Sequence, residues 1–153
     1  MTRLETKIPP VFVFIIAALL IWIASKYLPS IEIPDMIRWI IVLIFLLFGA
    51  VMGVSGVYSF FKNETTVNPL EPQKATSLVG SGVYKISRNP MYLALALVLI
   101  AFAVYLESLW SLLIVLLFMT YMTRFQIFPE ERAMIQLFGE QYTDYMNRVR
   151  RWI

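Results

Sequence analysis

Four long apolar stretches alternate with short polar segments along the chain. The first runs from Pro10 to Ser25. Pro9-Pro10 suits a helix start, and Pro29 closes the exit. The second runs from Asp35 to Phe61, with Asp35 placed to cap it after Pro34. The third runs from Pro90 to Leu106. The fourth runs from Leu109 to Phe125 and is entered through Glu107-Ser108, where Ser108 is the candidate cap. A membrane-spanning helix needs about 20 residues, with a range near 17–25. The second stretch is long enough to tilt or protrude. The third and fourth are joined by almost nothing, which predicts a tight helical hairpin.

The pattern changes after Phe125. Pro129 starts a separate amphipathic helix, with Met134, Ile135, Leu137 and Phe138 on its apolar side, lying on the membrane and ending at Gly139. A second short helix is expected from Glu140 to Trp152. Its Tyr142, Tyr145, Val149 and Trp152 would face lipid, with Arg148, Arg150 and Arg151 near the headgroups. The expected fold is all-α: a polytopic membrane protein with four transmembrane helices and C-terminal cytoplasmic amphipathic helices. Residues 1–153 read as one integral membrane domain, of which 1–61 hold two generic spans. No A-x-A-like cleavage site precedes Pro29, so the first stretch reads as a span and not as a signal peptide.

Composition supports the membrane class. Apolar residues make up 59% and charged residues 15%, against about a quarter charged in soluble domains. So short a chain cannot hide that much apolar surface in one soluble core. There is no cysteine and no histidine. Disulfides, thiolate chemistry, a Cys/His zinc site and a Ser-His-Asp triad are excluded, and no metal site is expected. The net charge of +3 is scattered along membrane edges, so it gives no support to nucleic-acid binding. No span carries an ionisable residue in its middle, which speaks against a transporter.

Lysine and arginine set the orientation. One side collects Arg3, Lys7, Lys62, Lys74, Lys85, Arg88, Arg124, Arg132, Arg148, Arg150 and Arg151. The other holds Lys26 and Arg38. The positive-inside rule then places both termini and the 62–89 loop in the cytoplasm, with the chain in the inner membrane.

Two polar clusters should meet on that side. One is the segment from Gly82 to Tyr92, at the start of the third stretch; the other is Pro129-Glu130-Glu131-Arg132. Each residue has a plain reading. Arg88 is placed to snorkel as an anchor. Asn89 before Pro90 is an ordinary helix start, and Tyr92 an interfacial aromatic. Acids after Pro129 are favourable in a first helical turn. Taken together, the clusters could hold a cationic ligand between Arg88, Asn89 and Tyr92 on one side and the paired carboxylates on the other. Gly80 and Gly82 allow close backbone approach. The 62–89 loop is longer than most connections, and such loops are functional or disordered. Gly49 and Gly53 permit close helix contact, within the chain or between chains; the oligomeric state is open.

Leu78-Val79, Gly82-Val83-Tyr84 and Arg88-Asn89-Pro90-Met91-Tyr92, followed by an apolar hairpin, Glu130-Glu131 and Phe138-Gly139-Glu140-Gln141-Tyr142, resemble the isoprenylcysteine carboxyl methyltransferase and phospholipid methyltransferase superfamily. Thr65-Thr66-Val67-Asn68-Pro69 is also similar to its small bacterial members. The resemblance covers residues 62–153, which it marks as a cofactor-binding core. It implies an integral membrane enzyme using S-adenosylmethionine, held by Leu78, Gly82, Tyr84, Asn89, Pro90, Tyr92, Glu130 and Glu131. It implies Arg88, Tyr92 and Glu131 as catalytic residues and a lipophilic small molecule or lipid as acceptor, with membrane lipids around the chain as further partners. Three positions depart from the pattern: Asn89 stands where histidine is frequent, Ala94 where glycine is, and Met134 where leucine is. The residues suit the cofactor. Carboxylates and aromatic faces favour a sulfonium cation, and Arg88 has the planar fork for a carboxylate or phosphate. Methyl transfer needs alignment more than a strong base. The rival reading is a non-catalytic membrane scaffold or a subunit of a larger complex.

Overall fold

A computed structural model describes residues 5, 7–63 and 76–153. The Thr65–Pro69 motif, Arg3 and Lys74 lie outside the described residues. Those described form six α-helices with no strand: α1 Pro10–Tyr27, α2 Asp35–Lys62, α3 Pro90–Tyr105, α4 Leu112–Met122, α5 Phe128–Phe138 and α6 Glu140–Arg148. Proline stands in the first turn of α1 and α3, where no intrahelical N–H is required. A short 3₁₀ turn, Gly82–Lys85, precedes α3, and another, Leu109–Ser111, leads into α4.

α3 is the centre of the molecule. Its Leu93, Ala94, Ala96, Leu97, Leu99, Ala101, Ala103 and Val104 are all buried. The alanines keep its surface low, so α2 on one side and α1 and α4 on the other come close. Gly53 and Gly56 of α2 complete this contact. A Cβ added at Gly53 would stand 3.3 Å from the Ala94 Cβ, and one at Gly56 would stand 3.1 Å from the Met91 Cγ. The small residues of α2 therefore serve a contact within the chain. α1, α2 and α4 turn large apolar side chains outward, among them Phe12, Ile16, Leu47 and Leu117. Water would penalise so much exposed apolar surface; lipid does not. An apolar cavity of about 400 Å³ lies between α1, α2 and the second half of α3, lined by Phe14, Trp39, Leu46, Leu99 and Tyr105 among others.

Three segments are long and apolar enough to cross a bilayer: Pro10–Tyr27, Asp35–Lys62 and Leu109–Phe138. This is a multi-pass membrane protein. α3 has 16 residues, so it rises ~24 Å, less than the ~30 Å hydrocarbon core. Because its neighbours sheathe it, they meet the lipid in its place.

The expected break at Pro129 is not there. The fourth stretch runs from α4 through a π-helical turn, Thr123–Ile127, straight into α5. Proline lacks the N–H for the residue-125 carbonyl and its ring crowds that carbonyl. The widened turn just before it absorbs both defects, so the helix continues. α5 is thus an extension of the fourth stretch and not a separate surface helix. α6 also ends earlier than expected, at Arg148; Val149 is extended with φ −124° and ψ 131°.

The expected caps are corrected too. Pro34, not Asp35, occupies the cap of α2, and the Asp35 carboxylate accepts from Arg38 Nη2 at 2.5 Å. Ser108 offers no side-chain cap; its hydroxyl meets that of Ser111 at 2.7 Å, both buried. At this end of the bundle Glu107, with φ +54°, ties the loops together. Its carboxylate pairs with Arg38 Nη1 at 2.8 Å and accepts the Ile33 N–H, while its carbonyl accepts the Ile31 N–H at 3.0 Å.

Candidate active site

The opposite end of α3 carries the polar junction. Gly82, at φ +61°, turns the chain as no β-carbon-bearing residue does comfortably, and the turn drops Tyr84 into the interior. The Tyr84 ring meets Phe60 edge-on at 5.5 Å, and its carbonyl accepts from the Tyr145 hydroxyl at 2.7 Å. Leu78, Val79, Tyr84, Tyr142 and Tyr145 form one packed cluster there. Burial pushes the Tyr145 phenol up to about 12. It raises Tyr84 and Tyr142 as well, with the negative charge of Glu131 adding to the shift at Tyr142. All three hydroxyls therefore stay protonated, as hydrogen-bond donors.

After the turn, Ser87 is fully buried and its hydroxyl accepts the Asn89 N–H at 3.1 Å. Asn89 opens α3 but does not cap it with its side chain, contrary to the simple reading of Asn-Pro. Its amide instead donates to the Arg151 carbonyl at 2.9 Å. Pro90 is fully buried at the first helical position.

Arg88 and Glu131 meet at 2.8 Å with side chains only 7% and 9% exposed. Arg88 is not an interfacial anchor, because its guanidinium points inward. Nη1 donates to the Met146 carbonyl at 3.3 Å, and Nε is buried without a partner. Glu131 is shared. Arg151 donates from Nε to Oε1 at 3.0 Å and from Nη2 to Oε2 at 2.9 Å, and its guanidinium lies 4.8 Å over the Phe128 ring. Glu130, next along α5, points elsewhere and accepts from the Tyr92 hydroxyl. Adjacent positions on a helix diverge by about 100°, so the two carboxylates have different partners: Glu131 two guanidinium groups, Glu130 one phenol.

The structure thus brings Arg88, Asn89, Pro90, Tyr92, Glu130 and Glu131 into one junction. Leu78 and Tyr84 lie in the adjoining aromatic cluster, and Gly82 is exposed at the turn that leads into it. Five residues expected at the lipid are corrected. Tyr142 and Tyr145 are buried in that cluster with Val149 packed against it, Trp152 packs against buried core residues, and Arg151 pairs with Glu131. The spacing of Tyr142, Tyr145 and Val149 marks an apolar face but does not say whether lipid or protein meets it. Nothing in the local sequence sets Arg151 apart from Arg148 and Arg150.

A family model described as phospholipid methyltransferase matches residues 37–141, from the first turn of α2 into α6. The chain belongs to the phospholipid methyltransferase family. It is also similar, at 38% identity over 63 residues, to an uncharacterised protein of Haemophilus influenzae; the match takes in 41% of this chain and all of that protein. Phospholipid methyltransferases generally use S-adenosylmethionine, and this junction fits such a group. The buried Arg88 Nε is a donor awaiting an acceptor such as a carboxylate. Glu130 is a carboxyl group that Tyr92 orients.

Proposed function

We propose that the protein is an S-adenosylmethionine-dependent methyltransferase acting on a lipophilic, membrane-resident acceptor at the cytoplasmic face of the inner membrane. In this reading it has four spans, both termini are cytoplasmic, and residues 1–153 act as one membrane domain. The observation that carries the proposal is the buried junction of Arg88, Glu131, Tyr92 and Glu130, lying within the stretch matched by the family. Support for the orientation comes from the lysines and arginines, which gather at the junction end.

The cofactor, when bound, supplies an electrophilic methyl on a sulfonium. The chain's own residues bind and align. Arg88, fixed by Glu131 and the Met146 carbonyl, offers Nε to a carboxylate of the cofactor or to the acceptor's head. Glu130 meets a cation, held in place by the Tyr92 hydroxyl. Tyr92 walls the transfer site. Glu131 was expected among the catalytic groups; with both oxygens taken by guanidinium groups, its proposed role is to hold Arg88. Asn89 does not titrate near neutral pH, so it moves no proton. Leu78, Tyr84 and Pro90 shape the wall on the loop side, and Gly82 makes the turn that sets Tyr84 into it. Binding energy spent on alignment is what an in-line transfer requires. The acceptor enters from the lipid, which suits a greasy tail with a polar head.

Two experiments test this reading. Incubation of the purified protein with methyl-labelled S-adenosylmethionine and a membrane lipid extract should label a lipid-soluble product; a scaffold labels nothing. Cysteines at Ser30 and Asn147 should react from opposite faces, and labelling of Asn147Cys from the periplasm would invert the topology.

A further inference from the structure

Residues 149–152, after α6, form a strap across the junction. Its backbone is held by the start of α3: the Arg88 N–H donates to the Arg150 carbonyl at 3.0 Å, and the Asn89 amide and Ser87 hydroxyl donate to the Arg151 carbonyl at 2.9 and 3.4 Å. Its side chains reach the fourth stretch. Arg151 binds Glu131 by two parallel N–H donors, and Trp152 Nε1 donates to Thr123 Oγ1 at 3.2 Å, at the π-helical turn. Arg88 holds the same element from below, through the Met146 carbonyl near the end of α6. The strap thus joins the two polar clusters that lie far apart in sequence. The family match ends at residue 141, so this joint lies beyond the matched stretch.

We propose that Arg151 is a positioning residue of the cofactor site, acting through Glu131. The inference rests on the methyltransferase reading above. Arg88 and Arg151 share the one carboxylate of Glu131. With Arg151 in place, Glu131 is engaged at both oxygens, its rotamer is fixed, and Arg88 is held with Nε free. Without Arg151, Glu131 Oε2 loses its donor and the junction gains one net negative charge. Glu131 then swings toward Arg88, takes up Nε, and removes the donor on which ligand binding depends. The planar fork matters as well as the charge, because bidentate geometry is what locks the carboxylate. Arg150 is the internal control: it sits on the same strap with an exposed side chain and lends only its carbonyl.

The test is calorimetric titration of S-adenosylhomocysteine into the full chain in detergent. Arg151→Gln should weaken binding roughly tenfold to a hundredfold, Arg151→Lys should weaken it less, and Arg150→Gln should leave it unchanged. Added to Glu131→Gln, Arg151→Gln should cause almost no further loss, since it acts through that carboxylate. Binding to Arg151→Gln as tight as wild type, or tighter, overturns the inference, as does a full second loss in the Glu131→Gln background. Equal loss in Arg151→Gln and Arg150→Gln also overturns it, showing that the strap merely holds the fold. Failure of the wild type itself to bind overturns the methyltransferase reading, and this inference falls with it.

Discussion

Each end of the helix bundle joins an arginine to carboxylates, and the two joints differ in burial. At the far end Arg38 pairs with Asp35, which is 83% exposed, and with Glu107, which is 26% exposed. At the junction Arg88 and Glu131 are 7% and 9% exposed, and Arg151 completes a three-residue cluster. The far joint closes loops where solvent screens the charges, so its strength is small. The near joint is desolvated, so each charge there depends on its partner. It also has what the far joint lacks: an adjacent carboxyl, Glu130, which accepts from a phenol and, among the described residues, pairs with no arginine. Burial, with a neighbouring carboxyl held only by a phenol, separates the proposed binding site from a loop pin made of the same residue types.

The largest effect should come from removing the shared carboxylates. Glu131→Ala strands Arg88 and Arg151 and should destabilise the protein by about 3–5 kcal/mol, the usual consequence of leaving a buried charge unpaired. Glu107→Ala should cost about 1 kcal/mol. Thermal unfolding in detergent compares the two, and equal losses would erase the distinction drawn between the ends.

Arg88→Lys keeps the charge but loses the fork. Turnover should fall at least tenfold with expression and topology intact. Full activity in a methyl-transfer assay would reduce Arg88 to a structural pin of the junction. Arg38→Lys at the far end should leave turnover unchanged.

Helix packing connects to the junction through Gly56. A Cβ there meets Met91 at 3.1 Å and Pro90 at 3.4 Å, at the first turn of α3. Gly56→Val should cost about 1–3 kcal/mol by overpacking and also slow turnover, because Tyr92 moves with that turn. A stability loss with turnover unchanged would uncouple the packing from the site. Asp35→Asn should be the mildest change, within about 0.5 kcal/mol.

Much of this was legible in the sequence. The apolar stretches give α1–α3 to within two residues at each boundary, because apolar runs bounded by proline and charge have few other solutions. That the two polar clusters meet was readable from topology, as two polar ends of an apolar hairpin must lie on one side; that they join directly, Arg88 to Glu131 and Tyr92 to Glu130, was not, because a ligand was expected between them. What was not readable depended on relief from a local rule or on a long-range partner. Pro129 reads as a helix start, and only the π-helical turn before it shows the helix passing through. Tyr142 and Tyr145 present an apolar face that suits lipid as well as the Tyr84 cluster. Arg151 lies in a basic run typical of a membrane edge, and its partner Glu131 is 20 residues earlier. Asn89 has the residue type of a cap, yet its amide goes to the strap.

The most direct test of the central claim is titration of S-adenosylmethionine and S-adenosylhomocysteine into wild type and Glu130→Gln, with thermal unfolding confirming that both proteins are folded. Wild type should bind both ligands saturably. Glu130→Gln should weaken S-adenosylmethionine roughly tenfold to a hundredfold, and more than S-adenosylhomocysteine, because only the former carries the sulfonium charge. A Glu130→Gln protein that binds both ligands as wild type does would contradict the account and place the cofactor away from this junction.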